Sequence, residues 1–243
     1  MLTTVLAKPP RKLWTPKRLP GLHTWFKSDA GLYQDAARTT PTVADGDPVG
    51  GWADQSGNGR HASQSTSSKR PTLKLNIQNG RSVVRGDGTD DGLQTAAFGA
   101  TLSQPYTLFL VHKFNVLANN QNVLDGLTDP NRFYLARPAN NAYDLYFGTG
   151  TPQFGTTTTN WRLLRVVAQG ASTKYQFEGG AEATIASNPG TSPLDGLTLF
   201  MNRNGTIQFF NGDIAELILC SGDLSAADDA RATAYLNQRW AVY

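Results

Sequence analysis

Residues 105 to 115, P-Y-T-L-F-L-V-H-K-F-N, constrain the fold more than any other part of this chain. In extended backbone, side chains alternate between faces. Tyr106, Leu108, Leu110 and Phe114 then fall on one side, and Phe109 and Val111 on the other. Apolar residues on both faces need cover on both, so the segment predicts a central strand lying between two layers. Other extended candidates are residues 22–26, 49–54, a segment starting at Pro71, and 82–85, 122–124, 132–136, 143–148, 161–168, 174–178, 197–202, 207–210 and 214–220. With 24 Gly and 13 Pro distributed among them, turns separate these candidates at short spacing. That pattern predicts a two-sheet antiparallel sandwich, a single domain at this length. Only the tail reads as helix. Ser225 is placed to cap it, with Asp228 at the third position, and Ala232, Tyr235, Leu236 and Trp240 form one apolar stripe.

A second informative stretch opens with W-A-D-Q-S-G-N-G-R-H-A at Trp52 and closes with V-V-R-G-D-G-T-D-D-G-L at Leu93. Gly57, Gly59, Gly86, Gly88 and Gly92 can hold positive φ and so mark tight turns. Asp54, Asn58, Asp87, Asp90 and Asp91 cluster at those turns, where they can bond the backbone or offer oxygen ligands to a hard cation such as calcium. This pairing resembles the concanavalin A-like jelly-roll superfamily, in particular the laminin-G-like modules of phage and bacterial proteins. Residues 14–30 resemble the entry segment of those modules, and G-D-I-A-E-L-I-L-C-S-G-D-L-S followed by A-Y-L-N-Q-R-W resembles their closing strand and helix. The resemblance implies an all-β jelly roll over residues 21–243 with a short C-terminal helix, and calcium at the turn loops. Gly86 and Gly92 depart from it, standing where many relatives carry larger residues.

Residues 1–20 form a separate unit in the sequence. Lys8, Arg11, Lys12, Lys17 and Arg18 give it five positive charges without an acid, beside four prolines. The rest of the chain holds 17 basic and 19 acidic residues. Such an arm suits contact with a neighbouring subunit. The single cysteine, Cys220, excludes a disulfide framework and any C-x-x-C site. No apolar run has the roughly 20 residues needed to span a bilayer, and the first residues do not follow the order of a signal peptide. Membrane and nucleic-acid partners are therefore not expected.

Catalytic patterns are sparse. His23, His61 and His112 are scattered without metal-ligand spacing. Laminarinases share the resembled fold, and a glycosidase would need two carboxylates on one face of a strand. The nearest pair, Asp213 and Glu216, are three residues apart, and simple alternation sends them to opposite faces. Tyr134, Tyr143 and Tyr146 fall where variable loops and the concave face lie in the resembled superfamily, so they are the candidate glycan-stacking residues. From these features the expected function is a non-catalytic virion structural protein of a bacteriophage, a head decoration or tail component assembled in the host cytoplasm. In that reading the arm binds capsid or tail neighbours within a homo-oligomer or larger assembly. The alternative is a lectin-like module for host-surface glycans, and the third reading is a glycoside hydrolase.

Overall fold

The computed structural model describes residues 14–243; Lys8, Arg11 and Lys12 of the basic arm lie outside the described residues. Two antiparallel sheets face each other. The first runs Ala183–Thr184, Lys174–Phe177, Arg162–Ala168, Tyr106–Phe114, Asn211–Ser221, Arg81–Asp87, Thr72–Gln78, with Leu22–Lys27 paired to the second half of Asn211–Ser221. The second runs Gln153–Phe154, Tyr143–Tyr146, Tyr134–Arg137, Gln121–Asp125, Thr198–Leu199, Leu93–Thr95, Ala62–Ser63, Gly51–Trp52, Leu32–Tyr33. The expected all-β sandwich with one C-terminal helix is the observed fold.

The two-faced strand Tyr106–Phe114 sits in the middle of the first sheet, between Arg162–Ala168 and Asn211–Ser221. Tyr106, Leu108, Leu110 and Phe114 enter the core between the sheets, together with Trp52, Leu135, Tyr143 and Leu145. Phe109 and Val111 point the other way. They form a second core with Trp25, Val83, Ile218 and Cys220, roofed by Ala232, Leu236 and Trp240 of the helix Ala226–Trp240. The Ser225 side chain accepts the Asp228 N–H as the cap pattern predicts. The first sheet is thus covered on both faces, the second mainly on one.

The sequence reading differs from the structure at several elements. Residues 207–210 are not a strand; Gln208 takes a positive φ of 60°, which breaks the extended run. Five short strands were not anticipated (Leu32–Tyr33, Ala62–Ser63, Leu93–Thr95, Gln153–Phe154, Ala183–Thr184), because two or three residues carry no readable period. Gly86 and Gly92 do not need positive φ. A Cβ at Gly86 would lie 2.5 Å from the Phe210 carbonyl oxygen, and one at Gly92 2.1 Å from Met201 Sδ, so Phe200, Met201 and Phe210 take the space that larger residues would fill.

Of the expected arm, the described part lies on the body. Trp14 packs edge-on against Tyr235 at 5.6 Å, and Leu19 is buried in the helix-side core, while Lys17 and Arg18, within the 3-10 turn Pro16–Arg18, are exposed.

Candidate functional site

On the helix side, every carboxylate considered for catalysis is already engaged. Glu216 is fully buried and accepts the indole N–H groups of Trp25 (2.7 Å) and Trp240 (2.8 Å) and Arg239 Nε (3.0 Å). Burial pushes its pKa up, and Arg239 with the two indoles opposes that shift. Asp213, also fully buried, takes a bidentate pair from Arg85 at 2.6 and 2.8 Å. The two do not point to opposite faces. A register shift between Ile214 and Glu216 breaks the alternation, so Asp213, opposite Arg85, and Glu216, under the helix, both face the helix side. The first anchors a neighbouring strand and the second anchors the helix.

The five residues proposed for a cation do not converge. Asp54 closes its own turn, accepting from Trp25 N, Ser56 N, Ser56 Oγ and Arg60 N. Asn58 donates to the carbonyls of Leu22 and His23. Trp25 pairs with Ile218 and Asp87 with Asn211, seven residues apart on one strand, which is roughly 20 Å. Only Asp87, Asp90 and Asp91 meet, with one oxygen from each within 4.8 Å of the others. Asp91 is buried and its carboxyl is pushed up to about 7, first by burial and then by the charge of Asp87. The chemistry of this trio fits a hard cation, which would offset that crowding.

The tyrosines divide likewise. Tyr143 is fully buried, with its hydroxyl 2.9 Å from His112 Nε2, and so is not a glycan contact. Tyr134 and Tyr146, by contrast, stand on the outer face of the nine-stranded sheet. They are cross-strand partners, stacked at 5.2 Å and 12°. Register extends this pair into two rows: Asp125, Tyr134, Tyr146 in one, and Asn122, Ala136, Asp144 in the next. Between Asn122 and Asp144 the small Ala136 side chain leaves room, and a cavity of about 380 Å³ opens there, lined among others by Arg132, Tyr134, Arg137, Asp144 and Arg203.

The charges at this cavity are largely paired. Arg132 makes two 3.0 Å bonds to the buried Asp125 and lies 4.9 Å from the centre of the Tyr134 ring and 5.5 Å from that of Tyr146. Arg203 pairs with Asp129. Arg137 is buried and bonded to neutral groups alone, the carbonyls of Ala118 and Pro138 and the side chains of Asn119 and Asn141. Among the described residues around the cavity, Asn122 Oδ1, Arg137 Nε and Asp144 Oδ1 are buried without a hydrogen-bond partner. Burial pushes the Asp144 pKa up, and it raises Tyr134 to about 12.

Apart from the two tyrosines, the sequence reading missed these residues. The signal for Asp144 was present, since period-two alternation puts Asp144 with Tyr146 and sets Tyr143 on the opposite face. Arg132 opens the expected extended segment 132–136, so the same alternation places it with Tyr134; Arg203 comes from a loop and carries no such signal.

No family model matches this sequence, and no curated protein matches it. Solved structures do. Domain 4 of a GH43 extracellular arabinanase from Geobacillus stearothermophilus, in complex with arabinotriose, matches with a TM-score of 0.60 at 17% identity, over 89% of this chain and 98% of that one. A GH54 α-L-arabinofuranosidase soaked with 4-nitrophenyl α-L-arabinofuranoside gives 0.60 at 14% identity, over 93% and 63%. Trypanosoma rangeli sialidase with sialic acid gives 0.53 at 11%, over 90% of this chain and 33% of the sialidase chain. The chain therefore spans about a third of the sialidase. At these identities the likeness establishes the sandwich. It also corrects two expectations, a phage virion structural role and the absence of enzymatic function, because these neighbours are carbohydrate-active proteins and none is a virion component.

Proposed function

We propose that this protein binds carbohydrate at the outer face of the nine-stranded sheet. One observation carries the reading: a cavity on this face is lined by Tyr134, one ring of the stacked pair, together with Arg132 and the carboxylate-bearing Asp144. Sugar recognition needs this combination. The C–H face of a ring packs on aromatic surface, and its hydroxyls bond to fixed polar groups that would otherwise stay unsatisfied. The arabinotriose complex of a similar domain supports the same class of ligand. The turn motifs and closing strand and helix support the finer placement of the chain among laminin-G-like modules.

Titration calorimetry against a panel of neutral oligosaccharides, including arabinotriose, xylotriose, cellotriose and maltotriose, tests it. Binding of at least one member is expected, together with its loss in Asp144→Ala. A panel that gives no heat with wild-type protein would sink the proposal.

A second reading concerns Asp87, Asp90 and Asp91, which would hold calcium as a structural cation. The convergence of the three carboxylates supports it, with one oxygen from each within 4.8 Å of the others.

A further inference from the structure

A second cavity, of about 230 Å³, lies beside the first and is lined by Gly88, Val116, Ala118 and Phe209 among others. Asn120 and Gln208 line both, so the two cavities share a wall made of these two residues. Both hold left-handed backbone, at φ 57° and 60°, and the Gln208 carbonyl accepts the Asn122 N–H at 2.8 Å. Non-glycine residues in that region are strained and concentrate at functional positions. Each cavity also has an exposed aliphatic side chain, Ile207 at the first (57% exposed) and Val116 at the second (50%). These offer apolar contact to a sugar ring.

The charge pattern narrows the ligand. Arg132 and Arg203 are neutralised by Asp125 and Asp129, which leaves Arg137 and Asp144, of opposite sign, each with one buried unpartnered atom. A polyol suits a wall that carries both signs, since each hydroxyl can donate to a carboxylate or accept from a guanidinium. A carboxylate sugar would satisfy Arg137 but face Asp144 across the same cavity. We infer that the site takes a neutral oligosaccharide of at least two units, with one unit beside Tyr134 and the next across Asn120 and Gln208 against Val116. This deepens the carbohydrate reading and rests on it.

The test compares monosaccharide, trisaccharide and an acidic trisaccharide of galacturonic acid on the full chain by calorimetry. The probes are arabinose, arabinotriose and the mono- and trisaccharides of xylose, glucose and galactose. At least one neutral trisaccharide should bind tenfold or more tightly than its monosaccharide, and the acidic trimer should bind more weakly than either neutral form. Val116→Asp, at an exposed position, removes the apolar contact of the second unit and should remove the trisaccharide gain while monosaccharide affinity stays the same, with the fold checked by circular dichroism. Equal affinity for mono- and trisaccharides, no effect of Val116→Asp, or preference for the acidic trimer would each overturn this inference and leave the carbohydrate reading standing. No binding of any sugar would overturn both.

Discussion

The two outer faces of the sandwich are built on opposite terms. On the helix side, the buried charges are paired: Glu216 collects two indoles and a guanidinium, Asp213 holds Arg85, and Arg165 lies within ion-pair reach of Glu182, Asp223 and Asp229. On the other side Asp144 Oδ1 and Arg137 Nε stay unpaired beside a cavity, with Ile207 and Val116 exposed nearby. Leaving a buried donor or acceptor unmade costs about 1–3 kcal/mol, so unpaired charged groups beside a cavity set this face apart from the ion-paired one. Stability and binding are thus assigned to different faces, and mutations should separate them.

The largest separation is expected from Glu216→Ala. Removing the carboxylate leaves the Trp25 and Trp240 N–H groups and the Arg239 guanidinium without their shared acceptor. Breaking a buried charged network costs about 3–5 kcal/mol. Chemical denaturation should show that loss, while sugar affinity of the protein that remains folded is unchanged. A matching loss of affinity would show that the faces are coupled. The reverse case is Tyr134→Ala. It removes half of the stacked pair and the ring beside Arg132. Sugar affinity should fall about tenfold or more, roughly 1.4 kcal/mol, with a comparable or smaller change in unfolding free energy. Intact binding in this variant would move the site away from the tyrosines.

The same contrast explains what the sequence could reveal. The helix-side face was legible, because its signals are periodic: Phe109 and Val111 alternate against Leu108 and Leu110, and Ala232, Leu236 and Trp240 repeat at helical spacing. The candidate site was only half legible. Tyr134 and Tyr146 were singled out, but Tyr143 was grouped with them although it lies three residues from Tyr146, on the opposite face of the same strand, where it meets His112. Asn120, Arg203 and Gln208 reach the site through loop geometry and long-range register, which no local pattern encodes. The bulge that turns Asp213 and Glu216 to one face is a similar case, since a single extra residue inverts an inference drawn from alternation. The turn residues of the 52–93 stretch were read as one ligand set, whereas Asp54 and Asn58 serve their own loop and only Asp87, Asp90 and Asp91 come together.

A pH-dependent effect belongs to that trio, which borders the second cavity through Gly88. Asp91 has its folded-state pKa raised to about 7, well above its ordinary value of 3.8. Its contribution to stability is therefore fully present below pH 3.8, where both states are protonated. It is lost as pH rises toward 7, because the unfolded chain ionises first. Asp91→Asn stays neutral throughout, and its amide oxygen can still accept the Asp87 N–H. In chelator, the variant should gain on the wild type between pH 4 and pH 7.5 by about 1–3 kcal/mol. Thermal denaturation at these two pH values reads the difference directly. Calcium sharpens the comparison, since a cation bound only to the folded state stabilises by mass action. At pH 7.5 it should raise the wild-type Tm by a few degrees and leave Asp91→Asn nearly unmoved. A pH-dependent gain with no response to calcium would make Asp87, Asp90 and Asp91 turn formers alone, and a variant that gains nothing with pH would show that Asp91 ionises freely in the folded protein.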